Sequence, residues 1–113
     1  MVKKLKALII GECLQLIFPF PSLLSRAGFE VDAISNNSTL KKSRFISNFE
    51  LVEGRDFLNL ITKKQLDDYD FIIPTDDLIL SLIINSNLPV ATKLKLLPVN
   101  SEENLKHIYS KFI

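Results

Sequence analysis

The stretch that most constrains the fold is Asp70-Phe71-Ile72-Ile73-Pro74-Thr75-Asp76-Asp77, which runs directly into Leu78-Ile79-Leu80. A run of apolar, β-favouring residues is interrupted by a proline, and a threonine able to cap a helix and two carboxylates follow. This order is typical of a buried parallel strand that passes into a helix at the ligand-binding edge of an α/β sheet. The stretch therefore predicts a strand at residues 71–73 and a well-buried helix over residues 75–85.

Four further stretches predict strands of the same sheet. Residues 6–10 are almost continuously apolar and end at Gly11, as expected of a strand covered on both faces. Residues 29–34 alternate between apolar and polar side chains, which predicts a second strand. Residues 49–52 predict a brief strand that we place at a sheet edge, and residues 96–99 predict a short last strand.

The segment after the first strand predicts a loop and then a helix. Pro19 and Pro21 each remove a backbone donor and disfavour a helical conformation in the residue before them. We therefore expect an apolar loop over residues 11–18. The helix should begin near Pro19 or Ser22 and end at Gly28, a favourable residue just beyond a helix C-terminus.

The remaining connections predict three more helical segments. Residues 40–45 are interpreted as a short helix or a loop. A helix with one apolar face is expected to begin at residue 54 or 55 and to end at residue 67. Asn100 and Glu103 have the spacing of a capping box, so a last helix should begin there and continue towards Ile113.

Strands that alternate with helices predict an α/β fold. We expect a Rossmann-like three-layer domain with a mainly parallel sheet of about four to five strands. The chain has 113 residues, of which 47% are hydrophobic, and this is enough apolar material for one domain. Because the last helix shows no stop signal before Ile113, we interpret residues 1–113 as a single domain at the N-terminus of a longer protein.

Composition excludes several functional classes. The net charge is +1 and the lysines are scattered, so the sequence lacks the basic patch of a nucleic-acid-binding protein. The single Cys13 excludes an internal disulfide, and one Cys with one His is too few for a zinc site, so we expect a cytoplasmic protein. Glu12, Pro19 and Pro21 interrupt the apolar N-terminal run, and we therefore expect neither a signal peptide nor a membrane-spanning helix.

The candidate site residues follow three of the predicted strands, where the carboxyl ends of parallel strands line a crevice. They are Gly11, Glu12, Ser35, Asn36, Thr75, Asp76 and Asp77. A single glycine is neither a dinucleotide fingerprint nor a phosphate loop, so this turn alone should not bind a nucleotide diphosphate tightly.

Each candidate also has a purely structural interpretation. Gly11 can serve only to relieve crowding at its turn. Thr75 can cap the helix while Asp76 and Asp77 complement the positive helix N-terminus. Cys13 can lie in the crevice loop or be a small buried apolar residue. The sequence alone leaves these alternatives open.

Three segments carry a family resemblance. They are the strand-Pro-Thr-Asp-Asp unit of residues 70–77, the run Ser43-Arg44-Phe45-Ile46-Ser47-Asn48-Phe49-Glu50-Leu51-Val52, and the ending Leu97-Pro98-Val99 with Leu105 and Lys111. In this order and spacing they resemble the N-terminal, pre-ATP-grasp domain of ATP-grasp enzymes. These are carboxylate–amine ligase relatives that include carbamoyl-phosphate synthase and biotin carboxylase.

The resemblance implies an activity for the full-length protein. Such enzymes use ATP and Mg²⁺ to activate a carboxylate as an acyl phosphate, which is then passed to an amine or a thiol. The resemblance places ATP and metal mainly in two domains after Ile113, which would be the partners of this one. It makes the candidate residues a wall for the carboxylate or amine substrate, and Lys111 a contact to the nucleotide phosphates.

Without those domains, we expect no catalytic activity and no bound cofactor, because the sequence shows no base–nucleophile pair and no phosphate loop. The alternative hypothesis is a stand-alone flavodoxin-like module that binds a small ligand or a protein. Such a module could form a homodimer through the last helix.

Overall fold

The structure is a computed structural model that describes residues 4–12, 14–54, 56–63 and 66–96. Four strands are formed: β1 (Lys6–Gly11), β2 (Glu30–Ser35), β3 (Asn48–Leu51) and β4 (Phe71–Pro74). The α-helices are α1 (Leu14–Ile17), α2 (Phe20–Arg26), α3 (Phe57–Lys63), α4 (Asp77–Ile84) and α5 (Val90–Lys93). Two 3₁₀ helices span Ser38–Lys42 and Leu66–Asp68.

The four strands form one all-parallel sheet in the order β3-β2-β1-β4. This confirms the predicted α/β, Rossmann-like three-layer architecture with its parallel sheet. An isolated parallel bridge between Ile72 and Leu96 lies beyond β4, at the start of the predicted last strand. Residues 97–99 of that strand and the predicted last helix lie outside the described residues.

The sheet is buried on both faces because strand β1 carries apolar side chains on each of them. Leu8 and Ile10 point into a core shared with α3 and α4. Ala7 and Ile9 point into a second core on the other face, to which Ile17 of α1 belongs. Successive strand residues face opposite sides, so a continuous apolar strand requires a helical layer on each face.

The connection after β1 differs from the prediction. Residues 11–18 were expected to form a loop, but they contain the one-turn helix α1, which buries Ile17. The prolines do not prevent this helix; Pro19 occupies the N-cap position of α2, and Pro21 lies in its first turn, where a missing N–H costs little. The predicted end of α2 is confirmed, since Gly28 follows it with a positive φ of 97°.

Two other helix boundaries are corrected. The helix predicted from residue 54 or 55 begins only at Phe57, because Gly54 adopts a left-handed φ of 60° and turns the chain. It ends at Lys63 and not at residue 67, which belongs to the 3₁₀ helix Leu66–Asp68. The helix predicted from Thr75 begins at Asp77, and Asp76 occupies the N-cap position. Leu78 was expected to be buried in this helix, yet it is 44% exposed.

The strand order creates a switch point between β1 and β4. From β1 the chain passes to β2 on one side, whereas from β3 it crosses to β4 on the other side of β1. The connections that leave β1 and β4 therefore diverge to opposite faces of the sheet. In open α/β sheets this is where a crevice forms at the carboxyl ends of the strands.

Candidate functional site

The sheet register brings most of the candidate residues to one edge. Gly11 is the register partner of Ser35, and Ile10 is the register partner of Pro74, so three strand ends lie side by side. Glu12, Asn36 and the β4–α4 connection follow directly from these ends. The predicted grouping at the carboxyl edge is therefore present in the fold.

The turn after β1 and the turn after β4 are in direct contact. The Thr75 N–H donates to the Ile10 carbonyl over 2.9 Å, and the Thr75 hydroxyl donates to the same oxygen over 3.4 Å. A Cβ atom at Gly11 would overlap the Thr75 hydroxyl and would lie 3.3 Å from Asp76 Oδ2. Glycine is thus required at position 11 by the close approach of the two turns.

Asp76 links this contact to helix α4. Its Oδ1 accepts a hydrogen bond from the Ile79 N–H over 3.1 Å, which is the N-cap interaction. Its Oδ2 accepts from the Glu12 N–H over 3.0 Å, across the switch point. Of the alternatives left open by the sequence, capping of the helix by Thr75 is not observed, because Asp76 performs that role and Thr75 instead bonds the end of β1.

The acidic side chains of the edge differ in their exposure to solvent. Asp77 is exposed at the first helical position of α4. Glu12 is half-buried after β1, and Asp76 is half-buried between the two turns. Asp77 can therefore meet a ligand from solution, whereas Asp76 mainly fixes the shape of the edge.

The two candidates that follow β2 are engaged in local structure. Ser35 is completely buried, and its hydroxyl oxygen accepts from the Asn37 N–H over 3.1 Å. The half-buried Asn36 donates its side-chain amide to the Gly54 carbonyl over 2.8 Å and so ties this turn to the β3–α3 connection. These residues shape the edge on the side of β3.

Two other predicted residues have no described position. Lys111 and Cys13 lie outside the described residues. Among the residues that are described, no group of three or more His, Cys, Asp or Glu side chains is arranged to hold a metal ion.

A second polar cluster lies inside the domain. The Tyr69 hydroxyl donates to Asp32 Oδ2 over 2.6 Å, and the Asn48 side-chain amide donates to Asp32 Oδ1 over 3.0 Å. Burial, together with the hydrogen bond to the Asp32 carboxylate and its charge, raises the pKa of Tyr69 well above its ordinary value. The cluster joins β2, β3 and the segment before β4, and sequence patterns do not reveal it because its members are far apart along the chain.

A cavity whose lining contains none of the candidate site residues was not predicted from the sequence. It lies between α2 and the connection from β2 to β3, and part of its lining comes from the Ser43-Arg44-Phe45 run. The sequence shows the basic and aromatic residues of that run. It does not show that α2 packs beside them, because this contact joins separate elements.

Comparison with protein-family models, with curated proteins and with solved structures gives no match for this chain. Within the described part of the chain, none of the helices has the length and apolar character needed to cross a membrane.

Proposed function

We propose that this chain is the substrate-side domain of an ATP-grasp ligase, which activates a carboxylate as an acyl phosphate for transfer to an amine or a thiol. The observation that supports it best is the contact of the β1 and β4 turns at the switch point of an all-parallel sheet. The resemblance of residues 43–52 and 70–77 to pre-ATP-grasp domains supports the enzyme class. With a single cysteine, the protein fits a reducing cytoplasm.

The charge at the edge favours one of the two substrates. Asp76 and Asp77 place two carboxylates on this edge. A carboxylate substrate would be repelled there, whereas a protonated amine would be attracted and could form charge-assisted hydrogen bonds. We therefore assign the acceptor amine to this edge, with the exposed Asp77 as its first contact.

The described residues of the edge do not fit a magnesium ion. Both carboxylate oxygens of Asp76 accept backbone N–H groups, and a metal would have to compete with the helix cap for them. We therefore assign ATP and Mg²⁺ to the domains expected after Ile113. The role proposed for the described residues is to bind and orient the amine beside the acyl phosphate.

The test uses the natural full-length protein. Asp77→Asn should raise the KM for the acceptor amine by about fivefold or more and leave the KM for ATP unchanged, because only the amine contacts this edge. Asp68→Asn is the matched control, since Asp68 is an exposed carboxylate in the 3₁₀ helix that precedes β4, at the opposite end of the strand. If Asp77→Asn behaves like Asp68→Asn, or alters only the KM for ATP, the assignment of the amine to this edge is wrong.

A further inference from the structure

The cavity beside α2 arises from the way the chain connects β2 to β3. In place of a full crossover helix, this connection has the 3₁₀ helix Ser38–Lys42 followed by a loop. This shorter cover leaves a space of about 370 Å³ against α2, with the buried side chain of Leu40 in its lining. We call this space the crossover pocket. Its volume lies in the range of pockets that bind small molecules, about 300–1,000 Å³.

The charged residues in the lining of the crossover pocket are basic. Lys42 and Arg44 line it, and both side chains are exposed. The described residues that line it include no aspartate and no glutamate. Ser22, Thr39 and Ser43 are the neutral polar residues of the lining, and the Ser43 hydroxyl oxygen accepts a hydrogen bond from the Phe45 N–H over 3.3 Å. This set of groups is suited to an anion and not to a cation.

The same pocket offers aromatic surface. Phe18 is 62% exposed and lines the pocket from the segment between α1 and α2. Phe45 lines it from the β2–β3 connection, and the Arg44 guanidinium carbon lies 5.0 Å from the centre of its ring. Through this cation–π contact, a charged group and an aromatic ring lie side by side in the lining of the pocket.

From these observations we propose that the crossover pocket binds a small aromatic anion, with its ring against Phe18 and Phe45 and its carboxylate or phosphate on Arg44 and Lys42. The planar guanidinium can form two parallel hydrogen bonds with either kind of anionic group. None of the lining residues belongs to the acidic edge, and the proposal does not depend on the ligase function. It can be tested on the 113-residue chain.

The first experiment titrates the isotope-labelled chain with 2-naphthoate and follows its backbone amide signals by NMR. We expect saturable shifts at Phe18, at Ser22 and across residues 39–45. The neutral analogue 2-naphthalenemethanol should bind about tenfold more weakly or worse, because it lacks the charge. A parallel titration with 2-naphthyl phosphate identifies the preferred anionic group; tighter binding of either anion than of the neutral analogue supports the proposal.

Matched variants test the two kinds of contact. Arg44→Gln should weaken 2-naphthoate binding by about tenfold or more, whereas Arg26→Gln, an exposed arginine of α2 outside the pocket lining, should change it by less than about twofold. Phe18→Ala should weaken binding by about fivefold, and Leu78→Ala, an exposed apolar residue of α4, should not.

Three results would overturn the proposal. They are shifts that do not saturate below about 10 mM 2-naphthoate, equal binding of the neutral analogue, and equal binding by Arg44→Gln and the wild-type chain. Because Arg44 and Phe18 are exposed, neither substitution should unfold the chain. The amide spectrum of each variant checks this directly.

Discussion

At the scale of single residues, Asp76 determines how the edge of the sheet is built. One carboxylate oxygen holds the first turn of α4 and the other holds the backbone after β1. Its neighbour Asp77 has the same charge but is exposed at the first helical position. Two adjacent aspartates that look equivalent in the sequence therefore have different roles.

This difference predicts unequal costs of substitution. Asp76→Ala should lower the free energy of unfolding by about 2–3 kcal/mol, since it removes a helix cap and a hydrogen bond across the switch point. Asp77→Ala should cost less than about 1 kcal/mol, because it loses only a favourable charge near the helix N-terminus. Urea unfolding followed by circular dichroism measures both, and equal costs would contradict the role given to Asp76.

The close approach at Gly11 gives a second residue-scale prediction. Gly11→Ala should destabilise the chain by about 1–3 kcal/mol, because its Cβ would overlap the Thr75 hydroxyl. In a Thr75→Ala background the same substitution should cost less by at least about 0.5 kcal/mol, since that hydroxyl is gone. Unfolding of the two single variants and the double variant tests this, and strictly additive costs would show that the two positions do not interfere.

At the scale of elements, the buried Asp32 connects strands β2 and β3 to the segment before β4. It lies on β2, accepts from Asn48 on β3 and accepts from Tyr69. A buried carboxylate is tolerated when its oxygens accept hydrogen bonds, and here the donors come from different elements. The cluster therefore fixes how these elements pack against one another.

Removing the Tyr69 hydroxyl tests this cluster. Tyr69→Phe should lower the free energy of unfolding by about 1.5–3 kcal/mol, the range for a hydrogen bond to a charged group. In an Asp32→Ala background the cost should be smaller, because the acceptor has already been removed. Equal costs in the two backgrounds would mean that the Tyr69–Asp32 bond does not contribute to stability.

The raised pKa of Tyr69 also predicts a pH dependence. An unfolded tyrosine loses its proton near pH 10, whereas burial and Asp32 keep the folded one protonated at that pH. The stabilising contribution is therefore complete below about pH 10 and is lost as the pH rises further. Wild-type stability should fall more steeply than that of Tyr69→Phe in urea unfolding between about pH 9 and 11; parallel curves would contradict this.

The elements also show what sequence patterns can and cannot predict. Continuous apolar runs predicted β1 and β4, and alternation predicted β2 to within one residue of its observed start. The predicted edge position of β3 is confirmed. Thr75 was considered as the helix cap and Asp76 was not, because both residue types cap helices well and only the packing of the two turns distinguishes them. The crossover pocket and the Asp32 cluster depend on contacts between distant segments, which local patterns do not encode.

At the scale of the whole molecule, the acidic edge and the basic crossover pocket are formed by different residues. The edge lies at the switch point between β1 and β4, and the crossover pocket lies between α2 and the β2–β3 connection. Two sets of residues with opposite charge favour ligands of opposite charge. The fold thus supports two independent binding hypotheses that different ligands can test.

The proposal that other domains bind ATP and Mg²⁺ predicts weak nucleotide binding by this domain. The 113-residue chain should bind ATP in the presence of Mg²⁺ no more tightly than about 1 mM, because the turn after β1 has only one glycine to approach a pyrophosphate. Isothermal titration calorimetry measures this affinity directly. Micromolar binding would instead favour a stand-alone nucleotide-binding module.

The central claim is tested most directly by reading the gene beyond the Ile113 codon and assaying its full-length product for ADP formation. We predict an open reading frame that continues into ATP-grasp domains, and ADP release that requires both a carboxylate and an amine. A stop codon directly after Ile113, or a continuing product that releases no ADP with these substrates, would contradict the ligase proposal.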